Sequence, residues 1–372
     1  MKFSAVVQIL SGVVAVSAAA VKPGELVPYT AEFKTIPLEQ AQAKAANDPG
    51  FQHWKAMEAG DEAEANRTAN GLLNDLVDRA EVEERQTSCT NPRVRVEWRN
   101  MSPADRRSFV LAIRCLMDRP PTGLAPPARN RYEELVWAHQ QAVGNVHMAG
   151  SFLPWHRYYV HTFSRLLRNE CGYTAPFPWW DETRDAGNFA GSGLFTSEYF
   201  GSLPRAVNGQ GVCINDGAFA GKLLHIGPGS SNVERCLSRG ERRDLTAQVN
   251  SNFVNTCNSR TAYAAMRECN EFGPHAYGHN GIGPVMSEVA GSPGDPIFFM
   301  HHAFVDRMWK AWQNQAQWRW TTISGCAAPG NGRPCPPLTL DTVLTTYGIR
   351  PNVRVRDILD TEGPFLCYRY DY

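Results

Sequence analysis

The chain has 372 residues, 43% of them hydrophobic and 20% charged, with 37 basic side chains balancing 37 acidic ones. This length and composition exclude a disulfide-stapled miniprotein and a disordered chain, and the absence of net charge gives no footing for a nucleic-acid or anionic-membrane partner. Ten cysteines, ten tryptophans and ten histidines carry most of the information.

Lys2, an apolar run over residues 4–17 and the small residues Ala18, Ala19 and Ala20 have the form of a secretory signal peptide over residues 1–20. Gln8, Ser11 and Gly12 interrupt the run, no stop-transfer charge flanks it, and nothing later reaches the ~20 apolar residues of a membrane span. The expectation is a secreted, extracellular protein in which cysteines pair. No C-x-x-C occurs, which argues against a zinc ribbon or a thioredoxin-type centre, and Cys326 and Cys335, bracketing a Pro/Gly-rich loop, are the one pair legible from spacing. Asn66 and Asn100 head glycosylation triplets.

Residues 21–40 read as extended, and 41–85 as helical, ending in Leu72, Leu73, Leu76 and Val77. The segment 21–88 has no cysteine and is either a helical N-terminal arm or prosegment, or an ordinary part of the main domain, which is placed at 89–372. Within that domain, helices are expected over 103–118, 131–147, 155–169, 239–253, 260–270 and 301–316, with long Gly/Pro-rich connections between them. Strand signals are few and short, as at Val94-Arg95-Val96, so the fold class is mainly α.

Six histidines form two groups of three: His139, His147 and His156, then His275, His279 and His302. His275 and His279 are an i,i+4 pair, which on a helix puts both imidazoles on one face, near enough to share a metal. No Asp or Glu lies within the spacing of either triad, whereas a two-metal hydrolase or di-iron oxygenase normally uses carboxylates. Three neutral nitrogens per ion favour copper, which must cycle between Cu(I) and Cu(II), and two such ions facing each other can bind dioxygen.

The run Phe152-Leu153-Pro154-Trp155-His156-Arg157-Tyr158-Tyr159 and the block from Asp295 to Trp309, containing Phe298-Phe299-Met300-His301-His302, resemble the tyrosinase and catechol oxidase family of binuclear copper proteins. The resemblance covers about residues 89–372 and is nearest the short secreted fungal members. It implies a four-helix-bundle core holding two copper ions, the first on His139, His147 and His156 and the second on His275, His279 and His302. His301 would stand behind the ligands or at the pocket mouth, and Asp306, one turn after His302, would orient a ligand imidazole by accepting its N–H. Phe298 would stack on a ligand ring.

Two departures from the family pattern stand out. Asn145 occupies the position where many fungal relatives have a thioether-forming cysteine. After Tyr368-Arg369-Tyr370, which matches the family's Tyr-x-Tyr, the sequence ends at Tyr372, so the copper pair is expected to lie open, with residues 21–85 the only candidate inhibitory region.

The resemblance also implies the reaction, oxidation of small phenols by dioxygen. Ala276 replaces the Asn that in proficient hydroxylases helps hold a proton-accepting water, Glu271 is the candidate partner Glu, and Val289 matches the position that roofs the first copper. The reading is strong o-diphenol oxidation with weak or lagging monophenol hydroxylation. The alternative is a full tyrosinase or an o-aminophenol oxidase acting in pigment or secondary-metabolite synthesis; an oxygen carrier with the same histidines, a dinuclear zinc hydrolase and a non-catalytic metal-binding protein are more distant rivals. Trp179, Trp180, Trp309 and Trp312 read as core, and His53, His161 and His225 as surface or hydrogen-bonded structural residues.

Overall fold

The computed structural model describes residues 24–30, 32–46, 88–330 and 334–372. The signal peptide read over 1–20, the stretch 47–87 of the helical arm, His53 and the Asn66 triplet lie outside the described residues. In chain order the elements used below are β1 (Leu26–Pro28), α1 (Leu38–Ala46), β2 (Arg93–Glu97), α2 (Pro103–Asp118), α3 (Arg131–Val146) and α4 (Phe152–Cys171). Then come β3 (Pro178–Trp179), β4 (Gln210–Cys213), β5 (Ser238–Arg239), α5 (Ser251–Asn258), α6 (Tyr263–Asn270), α7 (Ala276–Ile282), α8 (Ile297–Gln313) and β6 (Tyr368–Tyr370).

The mainly α reading holds, and local chemistry explains the helix ends. Ser102 caps α2 by accepting the Asp105 amide at 3.1 Å, with Pro103 in the first turn, where its missing N–H breaks no helical bond. Asn130 caps α3 through the Glu133 amide at 2.9 Å, and α4 ends at Gly172 in the left-handed conformation. Helix α8 starts four residues earlier than expected because Asp295 accepts the Ile297 amide at 3.1 Å.

The single helix expected over 239–253 is a correction. The stretch forms β5, one helical turn at Arg243–Thr246, and then α5, which Asn250 caps through the Phe253 amide at 3.0 Å. Gly240 explains the break: a Cβ there would lie 2.7 Å from the Gly211 Cα, so the backbone is pressed against β4 as sheet.

The strands make short ribbons that tie distant segments together. β1 pairs antiparallel with β4, which pairs with β5, while β6, β2 and β3 run parallel in that order. Five disulfides take up all ten cysteines: Cys89–Cys367, Cys115–Cys171, Cys213–Cys236, Cys257–Cys269 and the expected Cys326–Cys335. Among the described residues no helix is long and apolar enough to cross a membrane. Asn100 is exposed, and its side chain donates to Asp371.

The core lies between α3, α4 and α8, with Trp179, Trp180, Trp309 and Trp312 buried as expected and Trp155 buried beside them. Its polar centre is Asp306. The carboxylate accepts Arg157 at 2.5 Å, Arg95 at 3.1 Å, the Tyr370 hydroxyl at 2.5 Å and the Tyr368 hydroxyl, and all five residues are buried. Burial alone would raise the Asp306 pKa, yet Arg157 and Arg95, then the two hydroxyls, hold it below the ordinary carboxylate range. The expectation that Asp306 holds a ligand imidazole is therefore corrected. It contacts arginines and tyrosines, and is neither a histidine partner nor a surface ion pair with Arg307 or Lys310.

Removing one charge from such a cluster strands the others in the core. Asp306→Asn is expected to lower unfolding free energy by about 3–5 kcal/mol in denaturant titration, whereas a loss under ~1 kcal/mol would show that the cluster is not what holds α4 to α8.

Candidate metal centre

Each histidine of the two triads is delivered by a different local device. His139 lies on α3 and its Nδ1 is 2.9 Å from the Ala290 carbonyl; His156 lies on α4 with Nδ1 2.8 Å from Phe152 O. His147 follows the last residue of α3, where the chain has turned extended, and its Nδ1 is 3.3 Å from Val143 O. Met148 then turns through the left-handed region at φ 56°, uncommon for a residue other than glycine.

The 275/279 pair does not sit on one regular helix. Residues Glu271–His275 form a wide π-type turn containing Gly273 and Pro274, and α7 begins only at Ala276. A Cβ on Gly273 would come within 2.6 Å of the Phe253 ring, so close packing favours glycine there. The turn aims His275, whose Nδ1 is 2.9 Å from Glu271 O, while His279 Nδ1 is 2.7 Å from Met286 O; their ring centroids are 4.6 Å apart.

With Nδ1–H donated to a carbonyl, each of these five rings turns its Nε2 lone pair inward. The Nε2 atoms of His139, His147, His156 and His275 are buried with no hydrogen-bond partner among the described residues, and His279 Nε2 faces His302 Nε2 at 3.2 Å. Buried polar atoms are rarely left unpaired, and here the unpaired nitrogens converge within each group, so the donors fit a metal. Within each group the donor atoms lie within 4.8 Å of one another. The groups face each other, with His156 and His302 stacked at 4.3 Å and 13°, and His147 and His275 6.2 Å apart.

Burial also fixes the charge. It drives His139 down to about 3 and His147 down to about 4, and pushes the pKa of His156, His275, His279 and His302 well below the usual value, with neighbouring imidazoles adding to the effect. All six are neutral at pH 7, the state that ligates. Phe298 stacks on His302 at 4.1 Å, as expected.

A fourth histidine joins the second group. His301 is fully buried, not at a pocket mouth, and its Nδ1 is 2.7 Å from Glu182 Oε1. Burial raises Glu182, against the pull of His301. Gly278 makes this contact possible, because a Cβ there would lie 2.6 Å from His301 Cε1 and 2.9 Å from Glu182 Oε2.

Glu271 is buried at the start of the turn that carries His275. Its Oε1 accepts the Met148 amide at 2.5 Å, its Oε2 pairs with Arg267, and burial, partly offset by Arg267 and that amide, pushes it up to about 7. Ala276 is fully buried at the head of α7, and Val289 is half-buried beside Ala290, the residue that holds His139. Asn145 is exposed at the end of α3. His161 is buried against Phe365, and His225 bonds Glu133 and Glu234.

Sequence reasoning missed two residues. Glu182 carries no local signal, since its partner is 119 positions away. Phe33 comes from the N-terminal segment, and its ring centroid lies 4.2 Å from His279, 5.0 Å from His275 and 5.8 Å from His147. The open centre expected from the sequence is thus corrected: Phe33, only 8% exposed, covers it.

The model of the common central domain of tyrosinase matches residues 129–315. Tyrosinase ustQ of Aspergillus flavus is 33% identical over 298 residues, spanning 76% of this chain and 80% of that protein, and tyrosinase P of Aspergillus terreus is 28% identical over 335 residues, spanning 76% and 93%. In structure the chain resembles a mutant polyphenol oxidase from Thermothelomyces thermophila, with a TM-score of 0.70 at 24% identity over 91% of this chain and 99% of the other.

The tight fit at Gly278 gives a test that needs no metal. Gly278→Ala is expected to cost about 1–3 kcal/mol of unfolding free energy through overpacking against His301 and Glu182; a neutral change would contradict the packing described.

Proposed function

The chain belongs to the tyrosinase family of type 3 binuclear copper proteins, and on that premise we propose that this copper oxidoreductase oxidises o-diphenols to o-quinones with dioxygen, hydroxylates monophenols weakly or after a lag, and is secreted. The observation that carries the reading is the pair of facing triads of neutral imidazoles, with no carboxylate in either donor group among the described residues. Five disulfides that leave no free cysteine support an oxidising, exported destination.

We assign the first copper to His139, His147 and His156 and the second to His275, His279 and His302. His302 is preferred to His301 because its Nε2 meets that of His279 at 3.2 Å and its ring stacks on His156 of the other triad. Two coppers held there supply the passage of electrons from diphenol to dioxygen, two diphenols and one dioxygen giving two quinones and two waters. The protein's part is to keep the six imidazoles uncharged and fixed, and to receive the phenolic protons.

Glu271 is the proposed proton-accepting side chain. Hydroxylation of a monophenol first needs a proton taken from a phenol of pKa about 10, which asks more of that group than diphenol oxidation does. Here the carboxylate is engaged by Met148 and Arg267, and Ala276 offers only a methyl where an amide would help hold a water. Both features support a preference for diphenols. Val289 is small and half-buried, which supports room for bulky phenols.

Copper analysis tests the ligand assignment: His302→Ala is expected to retain one copper per chain and His301→Ala two, and the reverse pattern would shift the assignment by one residue. Oxygen uptake tests the reaction. Catechol should be consumed at least about tenfold faster than a simple monophenol, a barrier difference of ~1.4 kcal/mol, and Ala276→Asn should narrow that ratio. Comparable wild-type rates on both substrates would overturn the role given to position 276 and identify a full tyrosinase.

A further inference from the structure

We propose that the cleft between α4, β2 and residues 366–368 binds a tetrahedral oxyanion, phosphate or sulfate, free or carried as an ester, at a site separate from the metal centre. Two sequence periods bring the donors together. His161, Ser164, Arg165 and Arg168 stand at i, i+3, i+4 and i+7 on α4 and share one helical face, while Arg93 and Arg95 stand at i and i+2 on β2 and share one strand face. All six line the cleft, and among the described residues no Asp or Glu lines it. The metal-facing His156 is five residues before His161, about 140° round the helix, so the two faces of α4 serve different sites.

Several of these groups have donors to spare. His161 is only 8% exposed, yet neither of its ring nitrogens has a hydrogen-bond partner among the described residues. The Ser164 hydroxyl and the Arg93 guanidinium have none either. A buried polar side chain is ordinarily paired, so an unpaired imidazole lining a cleft of donors marks the place of an acceptor. Charge points the same way. Arg168 donates to the carbonyls of Tyr173, Thr174 and Ala175 at 3.2, 3.4 and 3.0 Å, partners that accept hydrogen bonds without neutralising its charge. Burial pushes His161 well below its ordinary pKa, and Arg95, Arg350, Arg165 and Arg93 push it further down, so at pH 7 the ring is neutral and offers one N–H. Because the donors come from a helix and a strand rather than from one fork, a tetrahedral dianion, with oxygens for both elements, suits them better than a planar carboxylate. The strand side is held ready: β2 pairs with β6, the Arg93 amide donates to Cys367 O at 3.0 Å, and Cys367 is tied to Cys89.

Isothermal titration calorimetry on full-length, copper-loaded protein tests the site without any turnover, so the result stands whatever the metal centre oxidises. Sodium sulfate and sodium phosphate are expected to bind once per chain with a Kd of about 1 mM or tighter, while sodium chloride at matched ionic strength gives no saturable heat. Arg93→Ala, at an exposed position, should weaken sulfate by about tenfold or more. Ser164→Ala removes a donor but no charge and should weaken it by about threefold or more, which separates a built site from a diffuse positive field. Phenyl phosphate, titrated against wild type and Arg93→Ala, distinguishes the sources: Arg93-dependent binding tighter than that of inorganic phosphate identifies an ester, and equal or weaker binding identifies the free ion. Chloride titrating like sulfate, or sulfate affinity unchanged in both variants, would overturn the proposal.

Discussion

Arg157 and Asp306 meet in the core between α4 and α8, one residue after His156 and four after His302, and the separation of the two triads depends on that contact. Arg157 is fully buried, stacks on Trp309 at 3.7 Å and donates to the carbonyls of Ile358 and Leu359 and to Gln313, so its position is fixed from every side. Asp306 is held as firmly by Arg95 and by Tyr368 and Tyr370. With both helices clamped at this level, His156 and His302 are brought to a 4.3 Å stack across the centre. The Tyr-x-Tyr near the end of the sequence thereby has a physical role: β6 lies beside β2, Cys367 is tied to Cys89, and the two hydroxyls complete the shell around the carboxylate.

A second constraint is the supply of lone pairs. A histidine buried in a helical core ordinarily satisfies both ring nitrogens or gives way to an apolar residue. Here backbone carbonyls take the Nδ1 protons of five rings, which fixes the tautomer and leaves Nε2 as an acceptor. Two of those carbonyls, Met286 and Ala290, belong to the loop between α7 and α8 and serve opposite triads, His279 and His139. That short loop therefore sets the geometry of both halves, and Val289 is placed within it. Desolvation keeps the rings neutral, so the same burial that makes unpaired nitrogens costly also prepares them to bind a metal.

The sequence discloses whatever depends on local spacing. The histidine groups, the helices that carry His139, His156 and His302, and the Cys326–Cys335 pair are visible in short windows, and so is the mainly α class. What it conceals is long-range or backbone-specific. Asp306 looks like a helix residue one turn from a ligand, and nothing in its neighbourhood announces Arg157, 149 positions away. Phe33 and Asn280 are 247 positions apart, so a single phenylalanine in an extended stretch carries no sign that it ends above a metal centre. The π-type turn at 271–275 replaces a regular i,i+4 face because Gly273 and Pro274 break the helix there, a local signal whose geometric consequence periodicity does not convey. Gly240 likewise interrupts a helical pattern through its contact with β4, a tertiary effect that overrides propensity.

The central claim is that two coppers sit face to face between α4 and α8, each bounded by three imidazoles. Anomalous diffraction at the copper edge, on crystals of the copper-loaded protein, tests it most directly. The account predicts two peaks, one bounded by Nε2 of His139, His147 and His156 and the other by Nε2 of His275, His279 and His302, with His301 still on Glu182. A single peak, or a second peak bounded by His301 in place of His302, would contradict it.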